Sequence, residues 1–331
     1  MRFDLDLSFG RTMKNNNWEL LYPICGALVM LMLRNVCQKY IFTKIGLRLG
    51  LKQIEVKKAP HNAVLEKAYS VSKKWKLDRV RGLAKQLDVS EEEVESWLKL
   101  RSAQDRPSVL TKFSESFWRC CYYTSIWTGA ILIVWDKPWF WDLDQCWIDI
   151  ENQTVTRNVW WHLMITLSFY LSELMGLYFD VKRKDFWPMF IHHVTSIVVL
   201  FFVWKCHLFR INMVALVLFD CSDILLELSK IMVYLGHDRT SFVTFFTFLF
   251  VWVMTRLGYF PFWVVKSCVQ DAPRILPFAR DYSLYYVLVT LNFIFVILNC
   301  IWTFFILKIA RDMLFTDKPC RDSRSDSDDN L

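Results

Sequence analysis

Two histidines, His192 and His193, stand side by side in the stretch DVKRKDFWPMFIHHVTSIVVLFFVW (Asp180 to Trp204), inside an apolar run long enough to enter a bilayer. An imidazole pair costs free energy in hydrocarbon, so a membrane helix that carries one turns it toward a cavity, a partner or a substrate. A neutral imidazole can take up a proton or attack an electrophilic carbon, and such a pair would serve one or both of these steps. A second constellation lies in LFDCSDILLELSK (Leu218 to Lys230). On a helix, Asp220, Asp223, Glu227 and Lys230 follow i, i+3, i+7 and i+10 spacing and form one polar stripe down an apolar rod. Together the two patterns predict an intramembrane active site.

Helices in a bilayer must position these groups. Of the 331 residues, 54% are hydrophobic and 17% aromatic, and the apolar residues come in blocks rather than at surface-helix spacing, which excludes an ordinary soluble domain. Runs of roughly 20 apolar residues predict seven spans, at about 18–42, 117–135, 159–179, 186–204, 209–229, 240–265 and 282–308. An odd number puts the termini on opposite sides. Lys and Arg are retained in the cytosol near span ends, so the segment from Thr43 to Ser116, with Lys44, Arg48, Lys52, Lys57 and Lys58, reads as cytosolic. The 136–158 loop, with five acids against Lys137 and Arg157, reads as lumenal. The links at Lys182, Arg183 and Lys184 and at Lys230, His237 and Arg239 then also fall in the cytosol. The N-terminus comes out lumenal and the C-terminus cytosolic. The first span, from near Trp18, reads as an uncleaved anchor. Asn152-Gln153-Thr154 is a glycosylation sequon on the lumenal side, close to the next span.

In this topology His193 lies roughly 10 Å from the cytosolic end of its helix at Phe186, and Asp223 roughly 10 Å from Lys230, at about 1.5 Å per residue. Glu173 falls at a similar depth. Neighbouring spans thus bring ionisable groups to one level within reach of the cytosol. Arg256, roughly 24 Å along its span by the same measure, reads as a structural anchor near the lumenal end.

The ten cysteines show no metal-ligand spacing, and no metal is expected. Cys146 and Cys268 both fall on the lumenal side, where a pairing between them stays open. The net charge of +7 fits cytosolic loops lying against anionic lipid. The tail RDSRSDSDDNL (Arg321 to Leu331) has nothing to bury and is expected to be disordered. Within it Ser323, Ser325 and Ser327, each followed by Asp within three residues, are candidate phosphorylation sites for acid-directed kinases. Between the first two spans, Leu77, Val80, Leu83, Ala84 and Leu87 mark one amphipathic helix, and Ser90 to Glu93 supply a capping box for another that carries Val94, Trp97 and Leu98. This pair resembles the back half of a homeodomain. Leu100 stands where that pattern has its adenine-reading Asn, however, and Glu91, Glu92, Glu93 and Glu95 would face phosphates. The expectation is a cytosolic platform with no nucleic-acid partner.

DVKRKDFWPMFIHHV followed by LFDCSDILLELSK resembles the Lag motif of the ceramide synthases, the longevity-assurance branch of the TLC-domain membrane proteins. The resemblance continues through RSAQDRPSVLTKFSESFWR (Arg101 to Arg119), DKPWFWD (Asp136 to Asp142), LSFYLSEL (Leu167 to Leu174) and TRLGYFPFWV (Thr255 to Val264), and it covers about residues 62 to 314. The homeodomain-like insert points to the animal type. The implied fold class is an all-α polytopic membrane protein, a TLC-type bundle of about seven transmembrane helices with a small helical insert. Its parts would be a lumenal N-terminus and anchor (1–45), the insert (62–115), the catalytic membrane domain (116–314) and the acidic tail (315–331).

The implied activity joins a fatty acyl group from acyl-CoA to the amine of sphinganine or sphingosine in the endoplasmic reticulum membrane. Acyl-CoA enters as cosubstrate, no cofactor is bound permanently, and dimers with itself or with related synthases fit the family. The family's catalytic core falls on His192, His193, Asp220 and Asp223. Two positions depart from many relatives: Phe219 stands in place of His and Thr166 in place of Glu. Lys182, Arg183 and Lys184 are candidates for CoA-phosphate contact as well as topology signals, and Glu173 and Glu227 are candidate substrate contacts. Glu227 and Lys230 could equally pair as neighbours.

For amide formation the amine must lose a proton and the thioester carbonyl must be attacked. One histidine can act as the base, with a carboxylate fixing its tautomer or binding the incoming ammonium; alternatively one attacks first and gives an acyl-imidazole that the amine resolves. Adjacent helical residues point about 100° apart, so the two rings have different jobs. An acyl chain leaving a cytosolic-side centre extends toward the lumen, across a hydrocarbon core about 30 Å thick. The link DAPRILPFARDY, with Asp271, Arg274, Pro277, Arg280 and Tyr282, would therefore close its far end and act as a ruler, and in the resembling family this link is associated with chain-length preference. Two other classes compete. A non-catalytic lipid-binding or translocon-associated member of the same membrane fold would not need the histidine pair. A seven-span receptor would carry its ligand groups near the extracytoplasmic side, whereas the polar residues here collect toward the cytosol.

Overall fold

The computed structural model describes residues 17–53, 57–72, 75–179, 185–281 and 283–315. Ser323, Ser325 and Ser327, the basic link Lys182, Arg183 and Lys184, and Tyr282 lie outside them. Among the described residues all regular structure is helical. The chain opens with α1 (Leu21–Cys37), carried on through a π turn (Gln38–Phe42) into α2 (Thr43–Arg48). Glycine lets this first helix approach its neighbour closely: a Cβ on Gly26 would sit 2.3 Å from Ser168 Oγ. At its start, buried Glu19 accepts hydrogen bonds from the indoles of Trp204 (3.0 Å) and Trp160 (3.4 Å), so one carboxylate ties three helices together.

The insert folds as three helices, α3 (Ala63–Val71), α4 (Leu77–Leu87) and α5 (Glu91–Asp105). Leu65, Tyr69, Val80, Leu83, Ala84, Val94, Trp97 and Leu98 form its core. The capping box expected at Ser90 is present in both directions, Glu93 N to Ser90 Oγ and Ser90 N to Glu93 Oε2, each 3.2 Å. Leu77 departs from the expected apolar stripe. It is the first residue of α4, where the helix has no preceding turn to cover it, and it is 52% exposed.

Among the described residues, four helices are long and apolar enough to cross a membrane: Trp18–Arg48, Phe186–Lys205, Asp238–Ile275 and Ser283–Phe315. The other expected spans correspond to α6 (Val109–Val134), α8 (Arg157–Phe179) and α10 (Phe209–Tyr234), continuous helices of 26, 23 and 26 residues. These three hold Arg119, Glu173, Asp220, Asp223, Glu227 and Lys230, which lowers their hydropathy. Between α6 and α8 runs a short helix α7 (Pro138–Trp141) followed by turns. Cys146 in those turns and Cys268 are free thiols. Burial pushes the Cys146 thiol up to about 12, so it keeps its proton and donates it to Trp139 O at 3.4 Å.

Two tight turns set the geometry of the site-bearing helices. Between α9 (Phe186–Lys205) and α10 the backbone reverses at His207, a non-glycine residue at φ 57°, and between α10 and α11 (Asp238–Trp252) it reverses at Gly236, φ 72°. Such short connections force consecutive helices into antiparallel contact. Beyond Trp252 the helix continues as a π segment (Val253–Val265) that holds Pro261, then a second one (Ser267–Asp271) and α12 (Ala272–Ile275). Proline cannot donate its hydrogen bond in an α-helix and clashes with the preceding turn, and a widened turn accommodates it. The last long helix is α13 (Ser283–Phe315). Most side chains of α10 face inward, and it packs on α6, α11 and the π segment, so it is the central post of the bundle.

The Gly26 contact makes a direct prediction. Gly26→Leu must push α1 off α8 and cost about 1–3 kcal/mol of stability, whereas Gly129→Leu, with nothing within 4 Å of its added Cβ, should be tolerated. Thermal melts of the detergent-solubilised protein compare the two; equal midpoints would disprove the close approach.

Candidate active site

Helix α9 presents its histidines inward because Ile191 and Val194 on either side are exposed, at 44% and 36%. The ring centroids of His192 and His193 lie 5.5 Å apart, and both lie 5.9 Å from the ring of Tyr170 on α8. From there they diverge as adjacent helical residues should. His192 meets Phe295 and Trp302 of α13, at 5.7 and 5.2 Å, whereas His193 lies within Coulombic reach of Glu173 and Arg119. The Nδ1 atoms of both rings are buried without a partner.

The stripe on α10 holds, but its members differ in kind. Asp220 is 3% exposed and its Oδ2 has no partner. Asp223 is paired: its Oδ1 accepts from Arg256 Nη2 at 2.7 Å. The same guanidinium donates to Ser222 Oγ and to the carbonyl of Phe219, each at 3.1 Å, and lies 4.1 Å above the Phe219 ring. Glu227 and Lys230 form an ion pair one turn further on, both buried. Glu173 on α8 accepts from Arg119 of α6 at 2.9 Å. Among the described residues, neither imidazole hydrogen-bonds to a carboxylate.

Arg256 anchors the bundle as expected, but against Asp223 rather than apart from it near the far end of its span. That reading placed the near end of α10 at Lys230, whereas the helix runs on to Tyr234, which sets Asp223 about 16 Å deep at 1.5 Å per residue. The long Arg side chain, on the π segment, spans what remains of the difference. Phe219, which stands where many relatives have His, packs on Phe260 at 4.6 Å and serves as the floor beneath Arg256. Thr166 satisfies itself by donating to its own helix at His162 O, 2.8 Å. Tyr170, Arg119 and Trp302 escaped the sequence reading because single aromatic or basic residues in a span carry no spacing signal.

The candidate ruler is only partly a loop. Asp271 ends the second π segment, and Pro277 and Arg280 lie in a 3-10 turn, Pro277–Asp281. Arg274 reaches across to Asp144, with bonds of 2.8 and 2.7 Å, and to Asp271 at 3.2 Å, which joins the link to the turns after α7. Asn152 is exposed in those same turns, and its Nδ2 donates to Asp149 Oδ1 at 2.8 Å.

The TLC domain family model matches residues 112–308, which contain every member of this site. Ceramide synthase 5 of Homo sapiens is 33% identical over 307 residues, spanning 92% of this chain and 77% of the relative. Ceramide synthase 3 of Homo sapiens is 34% identical over 306 residues, 92% of this chain and 78% of the relative. Ceramide synthase hyl-1 of Caenorhabditis elegans is 36% identical over 232 residues, 65% of this chain and 61% of the relative. The chain belongs to the ceramide synthase family. As a ceramide synthase family member it carries the HH pair and the Asp-x-x-Asp stripe in one cluster, with Arg256 as the partner of the second Asp.

Arg256→Met should leave Asp223 as an unpaired buried carboxylate and cost about 3–5 kcal/mol. Adding Asp223→Asn should restore part of that loss, because the stranded charge is gone. A double-mutant cycle in thermal melts measures the coupling; strictly additive effects would refute the pairing.

Proposed function

We propose that this protein is a ceramide synthase that transfers a fatty acyl group from acyl-CoA to the amine of sphinganine or sphingosine. The observation that carries the reading is a set of unpartnered polar atoms, His192 Nδ1, His193 Nδ1 and Asp220 Oδ2, buried where α8, α9, α10 and α13 meet. Charged groups elsewhere in the cluster are neutralised in pairs. The free atoms are the ones left to act on a substrate.

The sphingoid amine arrives as an ammonium, and Asp220, with one oxygen unengaged, is suited to receive it. One proton leaves the ammonium through Asp220 to solvent, the freed nitrogen lone pair attacks the thioester carbonyl, a histidine takes the second N–H proton as the adduct forms, and the CoA thiolate leaves and takes that proton from the histidine. On the second route a histidine nitrogen attacks first, CoA thiol departs, and the amine then resolves the acyl-imidazole. Both routes use the same atoms, and the two faces met by His192 and His193 support a division of labour. Tyr170 touches both rings and holds them apart.

Seven long helices among the described residues support a seven-span protein of the endoplasmic reticulum membrane, with a lumenal N-terminus, a cytosolic C-terminus and the three-helix insert as a homeodomain-like cytosolic unit at about 62–115. The membrane domain at 116–314 carries the chemistry, and Glu173 and Glu227 stand beside it with their cationic partners. The segment Lys182 to Lys184 would meet CoA phosphates, Ser323, Ser325 and Ser327 would accept phosphate, and Asn152 would carry a glycan.

A microsomal assay with labelled sphinganine and a panel of acyl-CoAs tests the activity. His192→Ala, His193→Ala and Asp220→Asn should each lower amide formation by about 10²-fold or more with the protein still inserted. Normal turnover in both histidine variants would sink the reading. Exchange of residues 271–282 for the link of a relative with a different preference should move the acyl-length profile and leave sphingoid-base use unchanged. An unaltered profile in an active chimera would place the ruler within the spans.

A further inference from the structure

Helix α13 brings no ionisable group to the site, yet it contributes two hydrogen-bond donors that nothing in the bundle uses. Phe295 and Trp302 both contact the His192 ring, and they stand seven residues apart on one face of the helix. Asn299 lies between them on that same stripe, at i+4 from Phe295 and i−3 from Trp302, and so at the level of His192. It is 1% exposed, its Nδ2 is buried without a partner, and so is Trp302 Nε1. A buried donor left unmade costs about 1–3 kcal/mol, and hydrocarbon offers no water in recompense. Two such losses one turn apart, on the helix face that meets His192, mark a place that a ligand acceptor completes.

We propose that Asn299 Nδ2 and Trp302 Nε1 donate to the carbonyl oxygen of the acyl thioester and form the oxyanion site of the acyl transfer; this rests on the acyltransferase reading above. An indole N–H can only donate, and the carboxamide nitrogen likewise. Two adjacent donors fit an oxygen that gathers negative charge. As the nucleophilic nitrogen adds to the carbonyl carbon, the C=O π pair moves onto that oxygen, and the two donors meet it. When the pair returns, the C–S bond breaks and the thiolate takes the proton that the histidine removed from the amine.

The helix that carries the donors is held in place beforehand, as such a site requires. Asn299 O accepts from Thr303 Oγ1 at 2.6 Å, Thr303 Oγ1 accepts from Trp252 Nε1 at 2.9 Å, and the Trp252 ring lies 4.8 Å from the Arg256 guanidinium. The stripe on α13 is thereby locked to the helix that also fixes Asp223.

The test uses the full-length protein in detergent, first by kinetics. Asn299→Leu should lower kcat by about 10²–10³-fold, with both KM values held within about threefold, because the bond strengthens only as charge develops. Trp302→Phe should lower kcat by roughly tenfold, and Asn299→Gln should recover part of the loss. Binding of two unreactive acyl-CoA analogues supplies a readout that a packing role would not move. The difluoroketone in which CF2 replaces the thioester sulfur, held as a tetrahedral hydrate that mimics the adduct, should bind Asn299→Leu more weakly than the wild type, while the thioether that lacks the carbonyl oxygen binds both alike. Equal loss for the two analogues, a raised KM for the sphingoid base at unchanged kcat, or full activity of Asn299→Leu would each overturn the oxyanion site while leaving the acyltransferase intact. A wild type without acyl transfer would sink both.

Discussion

A charge buried in an apolar bundle must be neutralised, and that constraint organises most of what is polar in this protein. Arg119 meets Glu173, Lys230 meets Glu227 and Arg256 meets Asp223, each pair joining or bracing helices that would otherwise expose an ion to hydrocarbon. Removing one member is far costlier than removing both, because the survivor is stranded. These pairs therefore act as fixed joints. Asp220, whose Oδ2 has no partner, stands outside these pairs.

The joints work because the chain delivers them to one place. Short reversals at His207 and Gly236 keep α9, α10 and α11 in direct contact, and the widened π turns after Trp252 carry Arg256 inward while admitting Pro261. On the opposite flank the absence of a side chain at Gly26 lets α1 close on α8, and Glu19 ties the start of α1 to Trp160 and Trp204. Aromatic packing fills the space between, with Phe219 touching Phe260 and Phe295 and so linking the floor of Arg256 to the wall behind His192.

The parts of this arrangement that were legible in the sequence are those with a period. The histidine doublet, the i, i+3, i+7, i+10 stripe and the Ser90 capping box all arise from repeats or short spacings, and each is where it was expected. The Glu227 to Lys230 pairing is equally local. What depends on the relative depth of two helices was not legible. Asp223 was placed too shallow because α10 extends past its last charged residue, and so its partner Arg256 was assigned to the wrong level. Leu77 failed for a smaller reason of the same type, since a helical stripe predicts burial only where neighbouring turns exist to cover it.

Depth also explains why the two ends of the bundle differ in kind. Toward the α8 and α10 termini at Phe179 and Tyr234 lie the ion pairs and the histidines, whereas the opposite end is closed by loops that bind each other. Arg274 spans to Asp144, Arg210 donates to Gln145 O at 2.8 Å, and Trp147 Nε1 donates to Ser267 Oγ at 2.8 Å, so the turns after α7 are sewn to the segment before α13. A closed far end and a polar near end make the bundle one-sided. The link around Arg274 belongs to that closure, because its guanidinium bonds to Asp144 in the turns after α7 and to Asp271 in its own segment at once.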